Sequence, residues 1–246
     1  MDRVAFLGMH AAMQTARIQQ INVNNLANID TPAFKADYAN SQPQFIQNEV
    51  VGTDLSMGSI RFTGRALDVV LPEGYWLAVQ GRTTQNNGEA SVYYTRRADF
   101  QIDTAGYLSN GAGNRVLDTQ ENPIYVGQAQ KIRFSAEGEI NIVPMGASAE
   151  TSLSLGYLAL IKPPAGALEK NSEGVFALRE NTLLPPIDRA SMAPLQIGSL
   201  EGSNVNAVME LMELLRLSRH QDVNMKCIEA ARHQDEVSAA ILRFSY

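Results

Sequence analysis

The chain has 246 residues, 45% apolar and 19% charged, which is a globular composition and excludes an intrinsically disordered one. A formal net charge of −6 leaves no surplus of cations for phosphates, which argues against nucleic-acid binding. A single cysteine, Cys227, excludes an internal disulfide, and no run of about 18 apolar residues exists to span a membrane.

The first predicted element is a helix. From Asp2 to Asn28 there is no Gly after Gly8, and the first Pro is Pro32. Val4, Leu7, Ala11, Ile18 and Ile21 recur at helical steps with Gln14, Asn25 and Asn28 in the same stripe. Met9, Ala12, Ala16, Val23 and Leu26 form an adjoining stripe, so the apolar face is wide and interrupted by amides. Pro32 disfavours helical geometry at Thr31, which sets the expected end near Asp30. The region 1–35 also lacks the apolar run of a cleaved secretory signal, so none is expected.

Residues 36–64 read as an extended polar connector containing Ser41-Gln42-Pro43-Gln44. Across 65–200, Gly or Pro punctuates short β-prone runs such as Leu67–Leu71, Tyr75–Val79, Val92–Thr95, Ile140–Val143 and Tyr157–Ile161. That spacing predicts an antiparallel sandwich or barrel. The Tyr93-Tyr94 and Arg96-Arg97 cluster in this region is expected to lie on an exposed strand face.

The last region, 201–246, contains neither Gly nor Pro after Gly202, and Asn204 or Asn206 can cap a helix there. Val208, Leu211, Met212 and Leu215 form one apolar cluster. Cys227, Ala230, Gln234, Val237, Ile241 and Phe244 keep heptad spacing and predict a coiled-coil seam.

Catalytic patterns are missing from the sequence. No G-x-S-x-G, G-x-x-x-x-G-K-[ST] or H-E-x-x-H occurs, and Gly111-Ala112-Gly113 lacks a third glycine and a βαβ setting. Asp103-Thr104-Ala105-Gly106 carries one acid where a calcium loop needs several. His220 and His233 lie about 140° apart around one helix and cannot share a metal. The chain is expected to be no enzyme and to hold neither metal nor cofactor.

Asn24-Asn25-Leu26-Ala27-Asn28-Ile29-Asp30-Thr31-Pro32-Ala33-Phe34-Lys35 resembles the motif A-N-N-L-A-N-x-x-T-x-G-[FY]-[KR] of flagellar basal-body rod and hook proteins. The run from Gly198 to Asn206 is similar to the stretch preceding that family's C-terminal helix, and Tyr94–Asp103 resembles its Y-T-R-x-G-x-F segment. Two residues depart from the pattern. Ala33 stands where many members have Gly, so a positive φ there would be strained, and Ala98 replaces the Gly after Y-T-R-x.

The resemblance implies an α+β fold in which the terminal helices form an antiparallel coiled-coil domain beside a central antiparallel β-rich domain. It implies a structural, torque-transmitting rod subunit. The chain would polymerise with itself and with proximal and distal rod subunits, after export without a cleaved signal through the flagellar type III apparatus, in a rod crossing the periplasm. Length and Trp76-Leu77-Ala78-Val79-Gln80-Gly81 favour a proximal rod subunit over a distal one. The implied assembly interface is Asn24, Asn25, Leu26, Ala27, Asn28, Thr31, Pro32, Phe34, Lys35, Asn204, Val205, Asn206, Leu215, Val237, Ile241 and Phe244. A membrane-surface binding module is the non-structural alternative, but neither helix has the Lys/Arg-rich polar face such modules use.

Overall fold

The computed structural model describes residues 2–39, 51–84, 90–127, 129–146, 152–171, 173–179, 182–186, 189 and 192–244. Of these, the side chains of 2–5, 51, 82–84, 90, 238 and 241–244 lie outside the description. The backbone forms two compact units. One comprises 1–29, 35–55 and 205–246; the other comprises 30–34 and 56–204.

The first unit is built on helix α1, Asp2–Ala27, and helix α2, Ala207–Phe244. α2 starts where Asn206 Oδ1 accepts the backbone N–H groups of Val208 (3.1 Å) and Met209 (3.3 Å), which makes Asn206 its N-cap. α1 gives way to turns over Asn28–Asp30, as the approach of Pro32 requires. A short antiparallel ribbon, Asp37–Ala39 with Val51–Thr53, completes this unit.

The two helices pack antiparallel, but the expected coiled-coil domain is not what they form. The anticipated seam is turned outward: Cys227, Ala230, Gln234 and Val237 are exposed, and the side chains of Ile241 and Phe244 lie outside the described residues. The contact instead follows Leu217, Asn224 and Ala231 on α2 and Thr15, Asn22 and Asn25 on α1, the buried positions of the pair. Gly8 faces Ile228 closely enough that a Cβ would come within 3.0 Å of its Cγ1. Asn224 Nδ2 donates to Thr15 Oγ1 at 3.4 Å. Half of these buried positions are amides, so the line lacks the continuous apolar seam of a coiled-coil core. The α+β class stands, without that domain.

The second unit is a β structure in which every strand pair among the described residues is antiparallel. Its central strand, Trp76–Thr84, pairs with Ala90–Thr95 and also with Arg115–Val116 and Leu160–Ile161. Phe176–Leu178 and Leu168–Lys170 extend the sheet on one side; Leu108–Asn110 and Phe100–Ile102 extend it on the other. A three-stranded sheet, Ala129–Phe134, Glu139–Pro144 and Leu153–Tyr157, shares its core.

Alternation along the central strand explains that core. Leu77 and Val79 point into a cluster with Phe100, Leu108, Val116, Ile132, Phe134 and Ile140; Phe100 and Phe134 have ring centroids 5.1 Å apart. Trp76 and Ala78 point the other way, against Tyr94, Leu117 and Phe176. Both faces of this strand are therefore buried, which accounts for its nearly unbroken apolar start.

Candidate functional site

Two features of the molecule bear on function, one in each unit. In the helix unit, α2 presents an outer face. Val208, Leu211, Met212, Leu215, Val223 and Val237 are all exposed, from 46% at Val237 to 64% at Leu215. At about 100° per residue these six fall within about 60° of the direction opposite Leu217. On α1, Phe6, Met9 and Met13 are likewise exposed. Large apolar side chains therefore lie exposed on the side turned away from the helix–helix contact, concentrated on α2 at Val208–Leu215, and Arg219, Asp222, Lys226 and Glu229 continue that side.

The inner line is held by amides. Asn25, 1% exposed, donates from Nδ2 to Asp37 O (2.8 Å) and Glu210 Oε1 (3.1 Å), while its Oδ1 accepts Asp37 N–H (3.0 Å). It engages both backbone groups of Asp37 as a neighbouring strand would. Burial pushes the Glu210 carboxyl above its ordinary value of 4.5, opposed by the Asn25 bond and reinforced by the charge of Glu213. Asn22 Nδ2 and Gln221 Oε1 are buried without a hydrogen-bond partner.

The residues anticipated as interface fall as follows. Asn24 is exposed, and its carbonyl accepts Asn28 Nδ2 at 2.9 Å. Leu26 and Asn28 are half-buried, and Ala27 is exposed at the helix end. Val205 is half-buried and Lys35 fully buried. Thr31, Pro32, Phe34 and Asn204 belong to the β unit. There Thr31 O accepts Phe34 N–H at 3.3 Å, and Lys170 Nζ sits 4.2 Å from the Phe34 ring centroid.

Ala33 adopts φ +55°, the left-handed conformation that its departure from Gly made suspect. For a residue with a Cβ this costs about 1–2 kcal/mol. Ala98 is buried and does not share that conformation.

The second feature is a buried ion pair in the β unit. Tyr94, Thr95 and Arg96 are buried, so the Tyr93–Arg97 cluster is not the exposed face expected. Arg96 turns inward because an acid awaits it. Its Nε and Nη2 donate to Glu201 Oε2 at 2.8 and 2.7 Å, both side chains being nearly inaccessible. Nη1 donates to Pro72 O (2.9 Å) and Tyr75 O (2.7 Å), and Nη2 also to Leu71 O (2.9 Å). All five guanidinium N–H groups are used. Glu201 Oε1 in turn accepts Gly58 N–H at 3.1 Å. Removing one partner of such a pair strands a buried charge at about 3–5 kcal/mol.

Around that pair the chain closes tightly. Ser199–Glu201 pairs with Ile60–Phe62, Gly202 N–H donates to Ser59 O at 2.7 Å, and Ala33 N–H donates to Glu201 O at 2.9 Å. A Cβ on Gly58 would lie 2.1 Å from Gly202 O, so this approach requires glycine. Arg96 and Glu201 lie within two of the family-like segments, and nothing local in either marks them as partners.

Two long antiparallel helices with exposed apolar residues, joined to a β unit, define an α+β protein. The described residues contain no helix long and apolar enough to cross a membrane and no His/Cys/Asp/Glu group able to hold a metal. Residues 196–240 match the family "Flagellar basal body rod FlgEFG protein C-terminal". The chain is 31% identical to the flagellar basal-body rod protein FlgF of Escherichia coli K12, over 94% of each chain. It is 26% identical to FlgF of Salmonella typhimurium LT2 over the whole of both. FlgG of Buchnera aphidicola from Acyrthosiphon pisum is 26% identical over 87% of this chain and 91% of its own. The chain belongs to the flagellar basal-body rod protein family and is most like its FlgF members. It is a structural subunit of the basal-body rod.

Proposed function

We propose that this subunit polymerises through its terminal helices, with itself and with neighbouring proximal and distal rod subunits, into a stiff tubular shaft that carries torque and catalyses nothing. The supporting observation is the outer face of the helix pair: it carries Val208, Leu211, Met212 and Leu215 exposed, while the buried line sets Asn22, Asn25 and Asn224 beside Leu217 and Ala231. Exposed apolar stripes on that scale mark interaction sites. Helices of adjacent subunits are the natural cover, and a contact that repeats head to tail without closing builds a filament. On this reading the subunit is exported through the flagellar type III apparatus without a cleaved signal and assembles across the periplasm.

The motif residues Asn24–Lys35 and Asn204–Asn206 then serve assembly by fixing how each helix meets the chain beyond it. Leu215, Val237, Ile241 and Phe244 serve it by contact. The test is Leu215→Asp. Leu215 is 64% exposed, so the variant should keep the melting behaviour of the isolated chain. A carboxylate buried in a helix seam should still stop assembly. Electron microscopy of basal bodies from cells carrying the variant should show no completed rods. Normal rods and normal motility would refute the helix-mediated reading.

A further inference from the structure

The chain passes between its two units four times, at residues 29–30, 34–35, 55–56 and 204–205. On the β-unit side, all three pieces of chain that carry these passages are fastened in one small region. Asn204 N–H donates to Phe34 O at 3.3 Å, and Asn204 Nδ2 donates to Ser56 O at 3.2 Å. Gly58 is held by the Glu201 carboxylate and Ala33 by the Glu201 carbonyl. Yet the ribbon that should support them, Ile60–Phe62 with Ser199–Glu201, is three residues long, and its first strand is exposed throughout. A two-stranded ribbon of that size has marginal stability by itself.

We propose that the Arg96–Glu201 pair is a mechanical clamp. It fastens the passages of chain between the units to the centre of the β sheet. Arg96 follows directly on Ala90–Thr95, the strand paired along the central strand, and it grips the carbonyls of Leu71, Pro72 and Tyr75 beside that sheet. Glu201 grips Ala33, Gly58 and, through the ribbon, Ile60. This pair gives a force arriving along any of the three pieces a direct route to the sheet, beside the path through Gly198 and the pairing of Gln196–Ile197 with Val69–Val70. The role rests on the rod reading above, in which force crosses the subunit, and Arg96 and Glu201 act in it as positioning residues.

The experiment uses the full chain carrying Arg96→Met together with Glu201→Met. Apolar replacement of both members of a buried ion pair is commonly tolerated, so the β unit should melt near the wild-type temperature. The amides of Ala33, Gly58, Gly202 and Asn204 should exchange with deuterium roughly tenfold faster or more relative to Val79. Cells with this variant should swim normally in dilute medium and lose speed sharply in viscous medium. Glu201→Gln, which strands the buried Arg96 charge, should open the same amides and in addition lower the β-unit melting temperature. Unchanged exchange at those amides, or loss of the β-unit melting transition in the double variant, would overturn the clamp. Faster exchange with full swimming under load would remove its mechanical role and leave the rod reading intact. Absence of the wild-type chain from purified rods would remove the rod reading and leave the exchange result standing.

Discussion

The β unit and the helix unit handle apolar surface in opposite ways. The β unit packs a core of large side chains: Leu71, Leu77, Val79, Phe100, Leu108, Val116 and Ile140 are all inaccessible. Its deeply buried Arg96–Glu201 ion pair is satisfied at every donor of Arg96. The helix unit buries Asn22, Asn25 and Asn224 beside Leu217 and Ala231 and leaves Val208, Leu211, Met212 and Leu215 outside. The first pattern covers apolar surface within the molecule; the second leaves it uncovered in the isolated chain. Burial at about 25 cal/mol per Å² favours folding only where the surface is covered within the same molecule. The helix unit should therefore be the weaker of the two in the isolated chain, and limited proteolysis should cut it first. Equal resistance of the two units would break the contrast.

The largest expected effect is on the β unit. Leu77→Ala removes a fully buried side chain from the central strand and should lower the unfolding free energy of that unit by about 3–4 kcal/mol in denaturant titrations. A loss below about 1 kcal/mol would mean the core repacks freely and the contrast between units is overstated.

The next effect lies at the start of α2. Asn206→Ala removes the side chain that caps two backbone N–H groups and should destabilise the helix by about 1 kcal/mol, read as lost helical circular dichroism on heating. The β-unit transition should not move. If it falls in parallel, the two units melt as one and the comparison loses its basis.

A gain of similar size is expected at Ala33. Its φ of +55° is strained for alanine, and Ala33→Gly should stabilise the β unit by about 1 kcal/mol, less the greater freedom of glycine in the unfolded chain. Destabilisation instead would show that the buried methyl group matters more than the backbone.

The smallest effect is a pH dependence confined to the helix unit. The Glu210 carboxyl has a folded-state value raised above 4.5, chiefly by burial, so the folded form favours the protonated acid. Its contribution is fully present below 4.5 and is lost as pH rises through the raised value. The helix unit should melt slightly higher near pH 4.5 than near pH 7, and Glu210→Gln should flatten that difference. Greater stability at pH 7 would contradict the assigned cause.

Much of this was legible in the residues. The turn before Pro32, the cap at Asn206, the glycine-punctuated β region and the strain at Ala33 all follow from local chemistry, because φ restrictions and capping act within a few residues of their cause. The family motifs fixed the class of protein. What local chemistry does not contain is the direction a side chain faces once elements meet. The heptad Cys227, Ala230, Gln234, Val237 is a real periodicity, but a period states only that residues share a face and not which neighbour that face meets. The contact fell instead on Leu217, Asn224 and Ala231, because Gly8 lets α1 come close there and Asn25 is bound to Asp37 and Glu210. The same holds for Arg96. By sequence it belonged on a surface; it is buried because Glu201, 105 residues away, returns on the ribbon beside Ile60–Phe62. A charge is buried only where its partner and every hydrogen-bond acceptor arrive together, and the tertiary fold alone arranges that meeting.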